Sequence, residues 1–124
     1  MAVETLETRV GEIRVIRPDD DPETAYLRAE VGSVDRLADP AHYLRAALAG
    51  NRFGLGTNGA VLSLGDDENP TVYLTQRIPA EVAEAPEALD AALRPFAAAL
   101  FRWRERLGLE GTVPADAAEE GEVR

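Results

Sequence analysis

Six large apolar residues toward the C-terminal end, Leu89, Leu93, Phe96, Leu100, Trp103 and Leu107, follow one another at spacings of 4, 3, 4, 3 and 4. At about 100° per residue, that spacing gathers all six into an arc of about 80° on one helix. The stripe is stable only when covered. The rest of the chain must therefore supply an apolar surface for a helix that opens at Pro86 and reaches about Leu107, before Gly108. Pro95 lies inside this helix and removes one backbone hydrogen bond, which predicts a kink between Ala91 and Pro95. Phe101 falls roughly 120° from Leu89 on the wheel, on a polar flank between Asp90 and Glu105, and is a candidate partner contact.

The receiving surface reads as a sheet. From Thr24, the residues Ala25, Leu27, Ala29 and Val31 alternate with Tyr26, Arg28 and Glu30, the period of a half-buried strand. A first strand from about Leu6 to Arg17 precedes it, with Val10, Ile13 and Val15 apolar. The turn Asp19-Asp20-Asp21-Pro22 makes the two an antiparallel hairpin. Asp39 then Pro40 gives an N-cap and an N1 proline, and Gly50 is placed as the C′ glycine, so Pro40–Ala49 reads as a short helix. Its Leu44, Ala47 and Leu48 share one face. His42, Arg45, Ala46 and Ala49 lie opposite, a face of mostly short side chains suited to meeting a second copy. A second hairpin follows: Ala60, Leu62 and Leu64 alternate with Val61 and Ser63, the chain turns over Gly65 to Pro70, and Val72, Leu74 and Ile78 alternate with Tyr73, Thr75 and Arg77.

The order is ββα then ββα over residues 5–50 and 58–107, which predicts an α+β fold, one antiparallel sheet with helices packed on it. The uncovered face would carry Tyr26, Arg28, Val61, Tyr73 and Arg77, amphipathic residue types favoured at interfaces. A peptide or partner domain is expected there. Residues 110–124 hold five carboxylates and one arginine and read as a disordered acidic tail to a single domain, residues 1–109.

Composition closes most catalytic routes. The 124 residues include no cysteine and one histidine, His42, so neither a thiol nucleophile nor a two-histidine metal site can be built within one chain. Ser33 and Ser63 lie outside any G-x-S-x-G setting. With 23 acidic residues against 13 arginines, the net charge of −10 repels nucleic acid and anionic membrane. No run approaches a membrane span, and the first ten residues lack a signal-peptide layout, so a cytoplasmic protein is expected. Gly54-Leu-Gly56-Thr-Asn-Gly59 matches G-x-G-x-x-G, but a helix precedes it and a strand follows, the reverse of a dinucleotide site. These glycines are expected instead to supply positive φ in a crossing anchored by Asn51 and Phe53. Asp66-Asp67-Glu68-Asn69 lacks the alternating ligands of a calcium loop and reads as a hairpin turn. No catalytic residue, metal or cofactor is expected. An enzyme working with carboxylates alone is the contrasting alternative, and it would need a deep polar pocket holding a carboxyl group of raised pKa.

Four segments carry a resemblance: Leu44 to Gly54 (LRAALAGNRFG), Gly59 to Leu64 (GAVLSL), Val72 to Pro79 (VYLTQRIP), and Leu93 to Leu107 with LRPF and FRWRERL. With the preceding strand Tyr26 to Gly32 (YLRAEVG), they resemble the class I type III secretion chaperones, the Tir-chaperone family. The resemblance implies a small acidic homodimer that uses no ATP, catalyses nothing, and holds an extended segment of a secreted effector along apolar patches. The family order is helix, three strands, helix, two strands, helix. This chain would supply everything from the second strand onward, lacking the opening helix and a short strand, so a heterodimer with a related subunit is a further option. YbjN-type proteins, whose glycine-strand-strand-helix half looks alike, provide the second resemblance, and they imply an adaptor for a folded partner.

Overall fold

The computed structural model describes residues 1–65, 68 and 70–111. Most of the acidic tail, and all but Glu68 of the Asp66–Asn69 turn, lie outside the described residues. Five strands, β1 (Ala2–Thr8), β2 (Gly11–Arg17), β3 (Thr24–Ser33), β4 (Val61–Leu64) and β5 (Thr71–Pro79), form one sheet in the order β1-β2-β3-β5-β4. Every pairing is antiparallel. Helix α1 (Pro40–Gly50) follows β3, and α2 (Ala80–Glu84) and α3 (Pro86–Leu109) follow β5. The α+β sheet-and-helix fold expected from periodicity is the observed one.

The expected first strand is two strands. Thr8 closes a tight turn at Arg9 and Val10, its hydroxyl donating to the Gly11 carbonyl (2.7 Å) and accepting from the Val10 amide (3.2 Å). Gly11 takes φ +98° there. The irregular spacing of Leu6, Val10, Ile13 and Val15 is the trace of this reversal, since each arm keeps its own period of two. Three strands thus precede α1. The alanine-glutamate segment after Pro79 forms the single-turn helix α2.

One side of the sheet carries the core. Ile13 and Val15 of β2, Ala25, Leu27 and Ala29 of β3, and Val72, Leu74 and Ile78 of β5 pack with Phe96, Ala99, Leu100 and Trp103 of α3. Leu89, Leu93 and Leu107 complete the stripe, partly buried against the same core. Helix α3 runs unbroken through Pro95, whose carbonyl accepts the Asn58 side chain (2.9 Å). Arg104 fastens α3 to the sheet: its guanidinium donates to the carbonyl of Val10 and, at 3.0 and 2.6 Å, to that of Glu30.

Helix α1 is capped as expected, Asp39 accepting from the His42 amide (3.2 Å). Its roll about its axis differs from the expectation. Tyr43 and Ala47 are buried, Ala46 is partly buried, and Leu48 is exposed. The cause is Trp103, whose ring stands edge-on to Tyr43 with centroids 6.0 Å apart and lies so close to Gly50 that a Cβ there would come within 2.5 Å of it. Gly50 is therefore the last helical residue rather than a left-handed cap, and its lack of a side chain serves the contact with Trp103.

Candidate functional site

Strand alternation sends every second side chain away from the helices. On that outer face, Tyr26 stands opposite Arg77, Arg28 opposite Thr75, Glu30 opposite Tyr73, and Val61 opposite Thr75 from the other side. Five of the six expected partner-binding residues, Tyr26, Arg28, Val61, Tyr73 and Arg77, thus share one face. The sixth does not join them. Phe101 is exposed on α3, which packs on the opposite side of the sheet.

The outer face has a polar-aromatic centre. The Arg28 guanidinium lies over the Tyr73 ring, 4.2 Å from its centroid, a cation–π contact that joins neighbouring strands on this face. Beside it Arg14, opposite Arg28 in β2, pairs with Glu12 at 3.1 Å. Glu12, Arg14, Arg28, Glu30 and Tyr73 line a shallow depression of about 110 Å³. Ile16, opposite Tyr26, extends the patch with an aliphatic side chain. Arg77 donates to the Thr24 hydroxyl at 3.3 Å. The arrangement offers aromatic and aliphatic area flanked by guanidinium groups and by the carboxylates of Glu12 and Glu30, chemistry for binding a polypeptide.

The expected dimer face is split by the roll of α1. His42, Arg45 and Ala49 are exposed, whereas Ala46 turns partly inward against the core. His42 is also engaged, its Nδ1 lying 2.8 Å from a carboxylate oxygen of Glu110. With the Gly111 carbonyl accepting from the Ala38 amide at 2.7 Å, this holds the segment after α3 against the start of α1.

The glycine loop after α1 departs from expectation at two residues, Phe53 and Gly56. Gly56 does not take positive φ, and its lack of a side chain serves instead the close approach to Gly50, whose Cα a Cβ would meet at 2.8 Å. Gly54 and Gly59 take positive φ, and Asn51 anchors the crossing, its amide side chain bonding both the Leu62 amide (2.7 Å) and the Leu62 carbonyl (2.8 Å). Phe53 anchors nothing. Its side chain is 92% exposed. Phe53 and its neighbours belong to a stretch, Pro40 through Gly65, that contains no aspartate or glutamate although the chain has 23. That gap in charge is visible in the sequence and marks a surface that the expected site residues only partly cover.

Tyr43 is the one side chain in this region whose ionisation the fold displaces clearly. Burial pushes its phenol up to about 12, with the Arg106 charge opposing and the Glu110 charge adding. Its hydroxyl donates to the Trp103 carbonyl at 3.1 Å. Between pH 10 and 12 the folded chain keeps a proton that an unfolded tyrosine, with a pKa of about 10, releases. This contribution to stability is intact below pH 10 and is lost as pH rises toward 12. Urea unfolding across pH 8–11.5 is expected to show a steeper alkaline loss for the wild type than for Tyr43→Phe; equal slopes would contradict the assignment.

Among the described residues, no cluster of three or more His, Asp or Glu could hold a metal ion, and no helix is long and apolar enough to cross a membrane. No curated protein and no solved structure matches the chain. The family model of the Tir chaperone protein (CesT) family matches residues 8–104, from the end of β1 well into α3. The match takes in the outer-face residues of β2 to β5, the whole of α1 and the glycine loop. Spanning most of the 124 residues, it establishes that the chain belongs to the Tir chaperone protein (CesT) family.

Proposed function

We propose that the chain is a non-catalytic, cytoplasmic binding protein that works as a homodimer and holds a segment of a secreted effector or other partner protein against the outer face of its sheet. Residues 1–109 are the folded unit in this reading, residues 110–124 its acidic tail, and no cofactor takes part. Membership of the chaperone family, over residues 8–104, is the observation that carries it. Supporting the choice of face are Tyr26, Arg28, Tyr73 and Arg77, which combine broad apolar area with cationic groups on a protein otherwise rich in carboxylates. A polypeptide with alternating apolar and acidic side chains suits it. Supporting self-association through α1 are the exposed Arg45 and Ala49 and the absence of carboxylates from the helix itself.

The test combines light scattering of the purified protein with affinity capture from its native cells and mapping of the captured contact by limited proteolysis. The expected result is a dimer at micromolar concentration carrying one larger protein, bound through a protease-sensitive segment. Capture of a folded domain instead would turn the reading toward an adaptor, and capture of a related small subunit would turn it toward a heterodimer. A monomeric wild type would overturn the dimer.

A further inference from the structure

Nine large hydrophobic side chains stand exposed among the described residues, and five of them, Leu48, Phe53, Leu55, Val61 and Leu64, fall between positions 48 and 64. They concentrate in the carboxylate-free stretch. Phe53 and Leu55, 92% and 78% exposed, project from a loop that is firmly held. The Gly59 amide donates to the Gly54 carbonyl (2.9 Å) and the Gly56 amide to the Gly50 carbonyl (3.0 Å). Asn58 bonds the Pro95 carbonyl, and the Trp103 indole bonds the Gly56 carbonyl, each at 2.9 Å. Phe53 itself has φ +54°, a left-handed backbone that non-glycine residues seldom adopt. Such conformations persist where the surroundings impose them, and they cluster at binding sites. A rigid loop is spending both strain and apolar exposure on presenting one phenyl ring.

The matching cavity lies next to it. Between α1 and β4, an apolar groove of about 280 Å³ is lined by Leu44, Leu48, Leu62, Leu64 and Val72. About 150 Å³ suffices to hold a benzene ring. Asn51 at the rim occupies both backbone groups of Leu62, so the middle of this edge strand is closed to an added strand, while the groove is open to a side chain.

We propose that Phe53 of one copy enters the α1–β4 groove of a second copy, and that the second copy's Phe53 returns the contact. This rests on the dimer reading and supplies its central contact. Knob and groove adjoin at Asn51, only two residues from Phe53, as a two-fold interface requires when the same patch is used twice. The charge argument points to the same occupant. Two bodies of net charge −10 repel, and the repulsion is least where the contact is made by a stretch that holds no carboxylate and includes Arg45 and Arg52, with Arg102 beside it on the Gly56 carbonyl.

The test uses the full chain in analytical ultracentrifugation from 1 to 100 µM. The wild type is expected to dimerise, and Phe53→Ala to raise the dimer dissociation constant about 30-fold or more, the effect of a buried aromatic anchor. Its circular dichroism should stay unchanged, because the ring touches little in its own chain. The absence of cysteine permits a direct check. Phe53→Cys and Leu48→Cys chains, carrying different tags, are mixed and oxidised. A disulfide heterodimer is expected, and none when Glu84→Cys replaces Phe53→Cys. A wild-type dimer that Phe53→Ala leaves intact, with no cross-link, would overturn this contact and leave the dimer reading standing. A wild type that stays monomeric to 100 µM would overturn both.

Discussion

Trp103→Ala is expected to destabilise the fold by about 3–5 kcal/mol, the range for truncating a large aromatic in a core. Its ring is the joint between three elements. It meets Tyr43 of α1 edge-on, an arrangement favoured by the ring quadrupoles, and it fills the space that Gly50 leaves empty. Its indole N–H holds the glycine loop through the Gly56 carbonyl. Domains of this size have about 5–15 kcal/mol in total, so the variant should be close to unfolding. Trp103→Phe separates the terms. It keeps most of the apolar area and loses the indole bond, and it should cost about 1–2 kcal/mol.

The measurement is urea denaturation followed by far-ultraviolet circular dichroism, since Trp103 is the only tryptophan and its variants have no indole emission. A loss below about 1 kcal/mol for Trp103→Ala would show that α1 and the loop do not depend on this ring. In the wild type, the same residue is a reporter of the joint. Its emission should shift to the red at the urea concentration where ellipticity collapses, because the side chain is buried only while α1, α3 and the loop stay together.

Which parts of this arrangement a sequence reveals follows from how locally each is determined. The alternation of β3 and β5 assigns Tyr26, Arg28, Tyr73 and Arg77 to one face without any knowledge of the rest, because a period of two leaves only two faces to choose from. The stripe of α3 and the Asp39-Pro40 start of α1 are local in the same sense. The β1–β2 reversal escapes because Arg9-Val10 lacks the Asn-Gly or Asp-Gly signature of a tight hairpin, and the Thr8 hydroxyl completes the turn instead. The roll of α1 escapes for a different reason. Leu44 and Leu48 are the larger apolar residues, but Trp103, more distant in sequence than any local pattern reaches, needs a position without a side chain and finds it at Gly50. That long-range fit turns Tyr43 and Ala47 inward, leaving Leu48 exposed and Ala46 half-covered. The side on which Phe101 stands is likewise non-local, because it depends on which face of the sheet α3 covers. Phe53 escapes because an aromatic among glycines suggests an anchor, whereas its left-handed backbone in this closely packed loop leaves the ring exposed.

If the outer face holds the partner segment, the double variant Tyr26→Ala, Tyr73→Ala should weaken binding far more than it weakens the fold. Aromatic anchors near the centre of an interface typically cost about 2 kcal/mol or more each when truncated, roughly 30-fold in affinity. Both rings are half-buried on a face that no helix covers among the described residues, so their removal opens no core cavity. Tyr73 has the larger expected effect. Its ring carries the Arg28 guanidinium at 4.2 Å, and without it that cation loses the surface that holds it in place for an incoming carboxylate. Arg28→Lys tests this part separately, because lysine keeps the charge and loses the planar stacking, so affinity should fall while its dependence on salt stays the same. Titration calorimetry of the captured segment against wild type and each variant, at two salt concentrations, reads both quantities. Unchanged affinity in the double variant, with the dimer intact, would move the partner segment off the outer face and leave the helix side of the sheet, where Phe101 stands exposed, as the surface that binds it.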